Sequence, residues 1–165
     1  MEQQSKKLHF KAKRLKGFEY HGFYRYFLTL CVEKKHPLFK SQKLVEFIRR
    51  SFFKTAEEWK PDIICFCFMP DHLHLLVGGL DESSVLKGFI KNFKQKTGYA
   101  FKQKTGRKLW QRSFYDHILR DEEETYVIGK YILENPVRKG IVEDYRDYPF
   151  SWCKYFELKD GDSVI

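Results

Sequence analysis

Four segments of the chain carry the apolar pattern of β-strands. Residues 24–32 and 72–77 alternate apolar and polar positions at period two, as a strand with one buried face does. Residues 62–68 are apolar on both faces, which is typical of a central strand, and residues 69–71 supply a turn into the next strand. Residues 110–120 predict the fourth strand.

The segments between these strands predict two amphipathic helices. Ser41 is the expected N-cap of a helix over residues 41–60, which ends at Pro61 because proline cannot continue a helix. Ser83 or Ser84 is expected to cap the second helix. Its buried stripe consists of Leu86, Phe89, Ile90, Phe93 and Ala100.

The chain is expected to leave the core after the second helix and to form a third helix later. Residues 98–108 are polar and contain glycine, which predicts an irregular segment. Asp121 and Glu124 match a capping box, and the helix that they open runs to Asn135, since Pro136 discourages continuation.

The order of these elements predicts an α+β protein with a ferredoxin-like βαββαβ antiparallel sheet. Both crossover helices would cover one face of the sheet and leave the other face free. The third strand would be central, so side chains that it directs to the free face would lie in the middle of a shallow platform. The third helix is an addition to this fold, and residues after 145 predict an irregular aromatic tail.

Length and composition predict one domain. The chain has 165 residues, of which 42% are hydrophobic and 32% charged, as in ordinary globular proteins. We divide it into a basic arm over residues 1–16, one domain over residues 17–152 and a tail over residues 153–165. The longest apolar run, residues 63–69, is far shorter than a membrane helix, and no apolar stretch follows the first lysines. We therefore expect a cytoplasmic protein with no membrane partner.

A formal net charge of +9 predicts an anionic partner. Residues 1–16 carry six bases against one acid, and residues 81–112 carry nine bases against two acids. Aromatic residues make up 18% of the chain, and basic surfaces that carry aromatic rings are typical of proteins that bind single-stranded nucleic acid. The candidate phosphate contacts are Lys13, Arg14, Lys87, Lys91, Lys94 and Arg112.

The residues that point to chemistry lie on the third strand and the third helix. His72 and His74 are two positions apart in a strand, so both imidazoles emerge on one side and can share a metal ion. Tyr131 and Asn135 are four positions apart and lie one above the other on a helix. Tyr126 is a rival to Tyr131, but the residue four positions after it is a lysine, which cannot bind a metal while protonated.

These residue types together suit phosphoryl transfer. Tyrosine is a nucleophile toward phosphorus, but its ordinary pKa is about 10, so only roughly one in a thousand is ionised at neutral pH. Mn²⁺ or Mg²⁺ held by His72, His74 and the amide oxygen of Asn135 would polarise a scissile phosphate.

Three motifs, taken in order, resemble the HUH single-tyrosine transposases, and most of all their REP-associated tyrosine transposase branch. The motifs are MPDHLHLL at residues 69–76, WQRSFYDHILR at residues 110–120 and YILENPVRKGIV at residues 131–142. The resemblance covers residues 14–152. Asp71 stands where asparagine is more usual, and Lys139 and Ile141 replace the commoner alanine and leucine.

The resemblance implies a metal-dependent enzyme that nicks and rejoins single-stranded DNA. Tyr131 would attack and become joined to the 5′ phosphate while a 3′ hydroxyl leaves, and the metal would be held by His72 and His74 with Asn135 as third ligand. Because the 3′ hydroxyl can attack the phosphotyrosine in turn, the reaction needs no ATP. The implied substrate is single-stranded DNA with imperfect hairpins, bound by a monomer or a homodimer in which Tyr131 serves its own histidine pair or that of a partner.

Two alternatives stay open from the sequence. Cys65, Cys67, His72 and His74 would form a structural zinc site if the hairpin register placed the cysteines on the histidine face, whereas a pairing of Phe68 with His72 would turn them away. The chain would otherwise be a non-catalytic or degenerate protein that binds hairpins or single strands. An RNA-recognition module has the same βαββαβ order, but the RNP-type aromatic signature is not apparent.

Overall fold

The computed structural model describes residues 22–119 and 122–156. Within these residues five strands form one antiparallel sheet in the order β4-β1-β3-β2-β5. The strands are β1 (Arg25–Cys31), β2 (Asp62–Met69), β3 (His72–Gly78), β4 (Tyr115–Leu119) and β5 (Ser151–Cys153). The first four strands have the predicted ferredoxin-like arrangement, and β3 is the middle strand of the sheet.

Four α-helices accompany the sheet. They are α1 (Gln42–Trp59), α2 (Leu86–Thr105), α3 (Glu122–Leu133) and α4 (Asn135–Arg138). Short 3₁₀ helices occur at Glu33–Lys35, Leu38–Lys40 and Tyr145–Asp147. No helix in the described ranges combines the length and the apolar character that a membrane span requires.

Both faces of the sheet are packed, so the prediction of a free face is wrong. Helices α1 and α2 cover one face through a core that includes Tyr26, Leu28, Phe52, Phe66, Phe89 and Phe93. A second core lies on the other face and includes Phe27, Cys65, Cys67, Leu76, Ile128, Ile132 and Leu133. The apolar side of α3 needs a partner, and the second face of the sheet is what buries it.

The predicted limits of α1 are confirmed. Ser41 is the N-cap, and its hydroxyl accepts a hydrogen bond from the backbone N–H of Leu44 at 3.4 Å. The helix ends at Lys60, which has a left-handed backbone with φ of 47°, and Pro61 follows directly.

Helix α2 differs from its prediction at both ends. Val85 precedes it, while the Ser84 hydroxyl accepts hydrogen bonds from the backbone of the preceding turn instead of capping the helix. The helix also continues through Gly98 to Thr105, because its exposed face tolerates polar residues and its inner face still buries Phe101.

The segments around β4 and β5 also depart from the prediction. Strand β4 is shorter than residues 110–120, and Trp110 forms only an isolated bridge with Val32. The C-terminal segment contains an unpredicted strand, β5, which pairs with β2. Tyr148 anchors that segment, since its buried hydroxyl donates to the carbonyl oxygen of Phe68 at 2.6 Å. A strand of three residues is too short for a period-two pattern to predict.

Some predicted features lie outside the described residues. They are the basic arm over residues 1–16, the capping residue Asp121 and the end of the tail. Strand β5 extends across the predicted domain boundary between residues 152 and 153.

Candidate active site

The two histidines of β3 lie on the face of the sheet that carries α3. Met69 pairs with His72, so the β2–β3 turn contains only Pro70 and Asp71, and β3 starts at the first histidine. The side chains of His72 and His74 emerge on one side, and their Nε2 atoms lie 3.0 Å apart. One Nε2–H therefore donates to the other Nε2, and the two nitrogens face a common point.

A second set of contacts fixes the other nitrogen of each ring. Nδ1 of His72 lies 2.6 Å from a carboxylate oxygen of Asp71, to which it donates. Nδ1 of His74 lies 2.9 Å from the hydroxyl of Thr29, a group that can donate or accept. A shared ligand would take the place of the bond between the two Nε2 atoms, with the His74 proton then on Nδ1 and donated to the Thr29 hydroxyl.

Burial keeps both imidazoles neutral near neutral pH. The pKa of His74 lies well below its ordinary value, chiefly because of burial and further because of the nearby His72 and Arg138. The pKa of His72 is also lowered by burial, although Asp71 opposes this shift. Neutral imidazole is the form that binds a metal ion.

The structure brings Tyr131 next to the histidine pair. The centroid of its ring lies 6.4 Å from that of His74 and 6.1 Å from that of Phe27, which it meets edge to face. Tyr126, the rival tyrosine, is exposed and packs against Phe156 with ring centroids 4.8 Å apart. Of the two tyrosines, Tyr131 is the one placed beside the imidazoles.

Helix α4 holds the backbone of Tyr131 through two side chains. Asn135 is buried, and its Nδ2 donates to the carbonyl oxygen of Tyr131 at 3.3 Å. Because the amide nitrogen is the donor, Oδ1 is the Asn135 atom suited to a cation. Pro136 does not end the helical path as predicted, since it occupies the first turn of α4, where a missing N–H costs little.

Arg138 is a site residue that the sequence analysis did not identify. Its Nη2 donates to the carbonyl oxygen of Tyr131 at 2.6 Å, and its guanidinium carbon lies 4.1 Å from the centre of the Tyr131 ring. Residues seven positions apart lie on one helix face, so the sequence could have placed Arg138 beside Tyr131. It did not, because the helix was expected to end at Pro136.

The hairpin register puts both cysteines on the histidine face. Cys67 pairs with His74 and Cys65 with Leu76, so the register is the one that the zinc alternative requires. The thiols are nevertheless turned to other partners: the Sγ of Cys65 lies 3.7 Å from the carbonyl oxygen of Gly129, and the Sγ of Cys67 lies 3.7 Å from the sulfur of Met69.

The arrangement of the side chains around the cysteines also disfavours the zinc alternative. Burial raises the pKa of both thiols. Among the described residues, no group of three or more histidine, cysteine, aspartate or glutamate side chains is placed to hold a metal ion. A metal ion bound by the two histidines would therefore need further ligands of other kinds.

The predicted phosphate contacts are spread over the molecule. Lys87 and Lys91 are exposed on α2, which packs on the face opposite the histidines. Lys94 donates to the carbonyl oxygens of Gln111, Arg112 and Ser113 at 2.8, 3.3 and 3.4 Å, so it orders the loop before β4. Arg112 is exposed on that loop. Lys13 and Arg14 lie outside the described residues.

Comparisons with known proteins identify relatives of the chain. A family model described as transposase, IS200-like, matches residues 22–135. A Haemophilus influenzae protein provisionally named a REP-associated tyrosine transposase is 28% identical over 137 residues, which are 76% of this chain and 77% of the relative. An Escherichia coli REP-associated tyrosine transposase is 26% identical over 110 residues, which are 64% of this chain and 62% of the relative.

A solved structure agrees in fold. The structure of a REP-associated tyrosine transposase bound to a REP hairpin matches with a TM-score of 0.71 at 19% sequence identity. The match covers 93% of this chain and 99% of that chain. At this identity the match concerns the fold alone.

Proposed function

Because the chain belongs to the IS200-like transposase family, we propose that it nicks and rejoins single-stranded DNA with Tyr131 as the nucleophile. One observation carries the proposal: the ring of Tyr131 lies 6.4 Å from that of His74, although the two residues come from elements far apart in the sequence. A tyrosine held beside two neutral imidazoles suits covalent phosphoryl transfer.

The proposed reaction is a reversible transesterification. The phenolic oxygen of Tyr131 attacks the scissile phosphorus and loses its proton, the bond from phosphorus to the 3′ oxygen breaks, and the 3′ oxygen leaves as a hydroxyl. The DNA is then joined through its 5′ phosphate to the tyrosine. Attack by a 3′ hydroxyl on this phosphotyrosine reverses the exchange, so one phosphodiester replaces another and no ATP is consumed.

We propose that the site takes a divalent cation, Mg²⁺ or Mn²⁺, with most of its ligands being oxygen atoms. His72 and His74 would hold it through their facing Nε2 atoms, and Asn135 would hold it through Oδ1. Phosphate and water oxygens would complete the shell. The ion would supply polarisation of the scissile phosphate and stabilisation of the charge that develops on it.

The protein itself orients the nucleophile. Asn135 and Arg138 both donate to the backbone carbonyl of Tyr131, and Phe27 packs edge to face against the ring. Asp71 and Thr29 hold the outer nitrogens of the two imidazoles. These contacts limit the positions that the reacting groups adopt, and fixed geometry of this kind lowers the entropic part of the barrier.

The proposed substrate is single-stranded DNA that carries an imperfect hairpin. Support comes from the relatives named as REP-associated transposases, from the solved relative bound to a REP hairpin and from the net charge of +9. We propose that the chain acts where such DNA occurs, in the cytoplasm, and that each chain contains a complete site.

A denaturing gel tests the proposal. Labelled hairpin DNA is incubated with the protein and Mn²⁺ or Mg²⁺, and a slow band marks the protein–DNA adduct. We expect the band to disappear with EDTA or with Tyr131→Phe and to persist with Tyr126→Phe, the matched control on the same helix. A band that survives Tyr131→Phe would contradict the assignment of the nucleophile.

The second candidate is a degenerate transposase that binds hairpins without cutting them. The observation in its favour is that, within the part of the chain that the structure describes, no group of three or more histidine, cysteine, aspartate or glutamate side chains is placed to hold a metal ion. Tight hairpin binding without adduct or nick, across many hairpins and both metals, would favour this candidate over the catalytic one.

A further inference from the structure

An exposed aromatic residue lies on the same face of the sheet as the histidine pair, two strands away. Thr29 of β1 pairs with His74 on one side and with Tyr115 of β4 on the other. Residues directly opposite one another in antiparallel strands share a face, so Tyr115 and His74 emerge on the same side. Tyr115 is 62% exposed. It has no part in the proposed reaction.

One short side chain separates Tyr115 from His74 on this face of the sheet. Neighbouring strands lie about 4.8 Å apart, so Tyr115 is about 10 Å from His74 across the sheet. The residue between them, Thr29, has a short side chain that bonds to the His74 ring and is only half-buried. Thr29 is therefore the residue of the sheet that a strand of DNA would cross between the histidines and the Tyr115 ring.

The loop before Tyr115 is held by hydrogen bonds, and it carries an exposed arginine. Lys94 donates to three successive carbonyl oxygens of the loop, those of Gln111, Arg112 and Ser113, and its ammonium lies 5.6 Å from the centre of the Phe114 ring. Arg112 is exposed on this ordered loop, three residues before Tyr115.

We propose that Tyr115 is a stacking platform for a base of the single-stranded DNA bound at the site, with Arg112 contacting an adjacent phosphate. An exposed ring with an exposed arginine three residues away is a combination that suits single strands, because every base has a face to stack and every linkage carries a charge. Asp116, the acidic neighbour, is buried. The inference rests on the proposed function for the position of the DNA.

Site-specific base fluorescence tests the inference. The Tyr131→Phe protein is mixed with hairpin DNAs that carry 2-aminopurine at successive single-stranded positions. We expect one position to be quenched on binding, and Tyr115→Ala to abolish that quenching and weaken binding roughly 5- to 100-fold, whereas Tyr115→Trp retains both.

Tyr99→Ala is the matched control. Tyr99 is 67% exposed on α2, which packs on the opposite face of the sheet, so we expect its removal to leave binding and quenching unchanged. Equal losses for the two alanine variants, or no loss for Tyr115→Ala, would overturn the inference. Thermal unfolding of each variant separates loss of the contact from loss of the fold.

The two proposals fail in distinguishable ways. If Tyr131 forms no adduct but position-specific quenching still depends on Tyr115, the stacking platform stands and the catalytic proposal falls. If adduct forms normally with Tyr115→Ala at subsaturating DNA, the stacking platform falls and the catalytic proposal stands.

Discussion

The guanidinium of Arg138 lies over the ring of Tyr131, with its central carbon 4.1 Å from the ring centre, and donates to the carbonyl oxygen of the same residue at 2.6 Å. One side chain thus contacts both the backbone and the ring of the proposed nucleophile. Glu134 lies 3.6 Å from the guanidinium and orients it further. This relationship makes Arg138 a positioning residue for Tyr131.

Arg138→Gln is expected to slow adduct formation about 10-fold or more at saturating DNA, because a loss of about 1.4 kcal/mol of ordering contacts corresponds to that factor. Arg138→Lys should restore part of the rate, since lysine keeps the charge but not the planar contact. Single-turnover rates measure the effect, and DNA affinity in EDTA should change less than the rate. Arg146→Gln removes an exposed arginine paired with Asp144 and serves as control.

Tyr131 and His74 contact one another within one chain, so we expect each chain to act alone. An equimolar mixture of His74→Ala and Tyr131→Phe proteins should form no more adduct than either variant by itself. Recovery of about a quarter of the wild-type activity in the mixture would instead require Tyr131 of one chain to serve the histidines of another.

Loss of the outer contacts of the imidazoles is expected to weaken metal binding. Thr29→Val removes the hydroxyl beside His74, and Asp71→Ala removes the carboxylate beside His72; each should raise the Kd for Mn²⁺ by roughly 10- to 100-fold. Thr29→Ser keeps the hydroxyl and is the control. Titration of the DNA-free protein followed by electron paramagnetic resonance measures binding independently of catalysis.

The burial of Tyr148 predicts that the free energy of unfolding falls in alkaline solution. Burial raises the pKa of its phenol, whereas in the unfolded chain the phenol ionises near its ordinary pKa of about 10. Above about pH 10 the unfolded state therefore holds fewer protons than the folded state, and the free energy of unfolding falls as the pH rises. Tyr148→Phe should cost about 1–3 kcal/mol near pH 7, since Phe68 loses its donor.

The pH series separates this effect from that of other titrating groups. Denaturant unfolding of wild type and Tyr148→Phe from pH 7 to pH 11 should give curves that converge at the alkaline end. A constant difference between the two proteins across the series would contradict the role assigned to the Tyr148 phenol.

Arg112→Ala is expected to reduce the salt dependence of DNA binding by roughly 0.7 in the slope of log K against log salt, the value for one phosphate contact on a single strand. Lys91→Ala should change the slope less, because α2 lies on the face opposite the histidines. Binding isotherms at four or more salt concentrations give both slopes. A larger change for Lys91→Ala would place the DNA on the α2 side.

The parts of the fold that periodicity encodes were predictable from the sequence. Alternation in β1, the apolar β2 and the Ser41 cap gave the βαββαβ order, and the family match confirms the resemblance that the three motifs carry. The position of His72 and His74 on the same face of β3 was also predictable, because the side-chain period of a strand is two.

The rest depended on tertiary contacts. The hairpin register differs by one residue from the pairing of Phe68 with His72, and a shift of one residue reverses which face the cysteines occupy. Helix α2 continues past Gly98 because Phe101 is buried one turn after Thr97, a spacing that the polar and glycine-containing composition of residues 98–108 outweighed in the prediction. Arg138 joined the site only because Pro136 starts a new helical turn.

Residues 148–153 bond to β2 and pack against α3, and they follow both elements in the chain. Tyr148 bonds to Phe68, the N–H of Phe68 donates to the carbonyl oxygen of Phe150, and Cys153 packs beneath Gly129 of α3. A truncated chain that ends before Tyr148 contains both histidines and Tyr131 but lacks these contacts. We expect such a chain to leave DNA uncut, because β2 and α3 then lack the contacts that residues 148–153 supply.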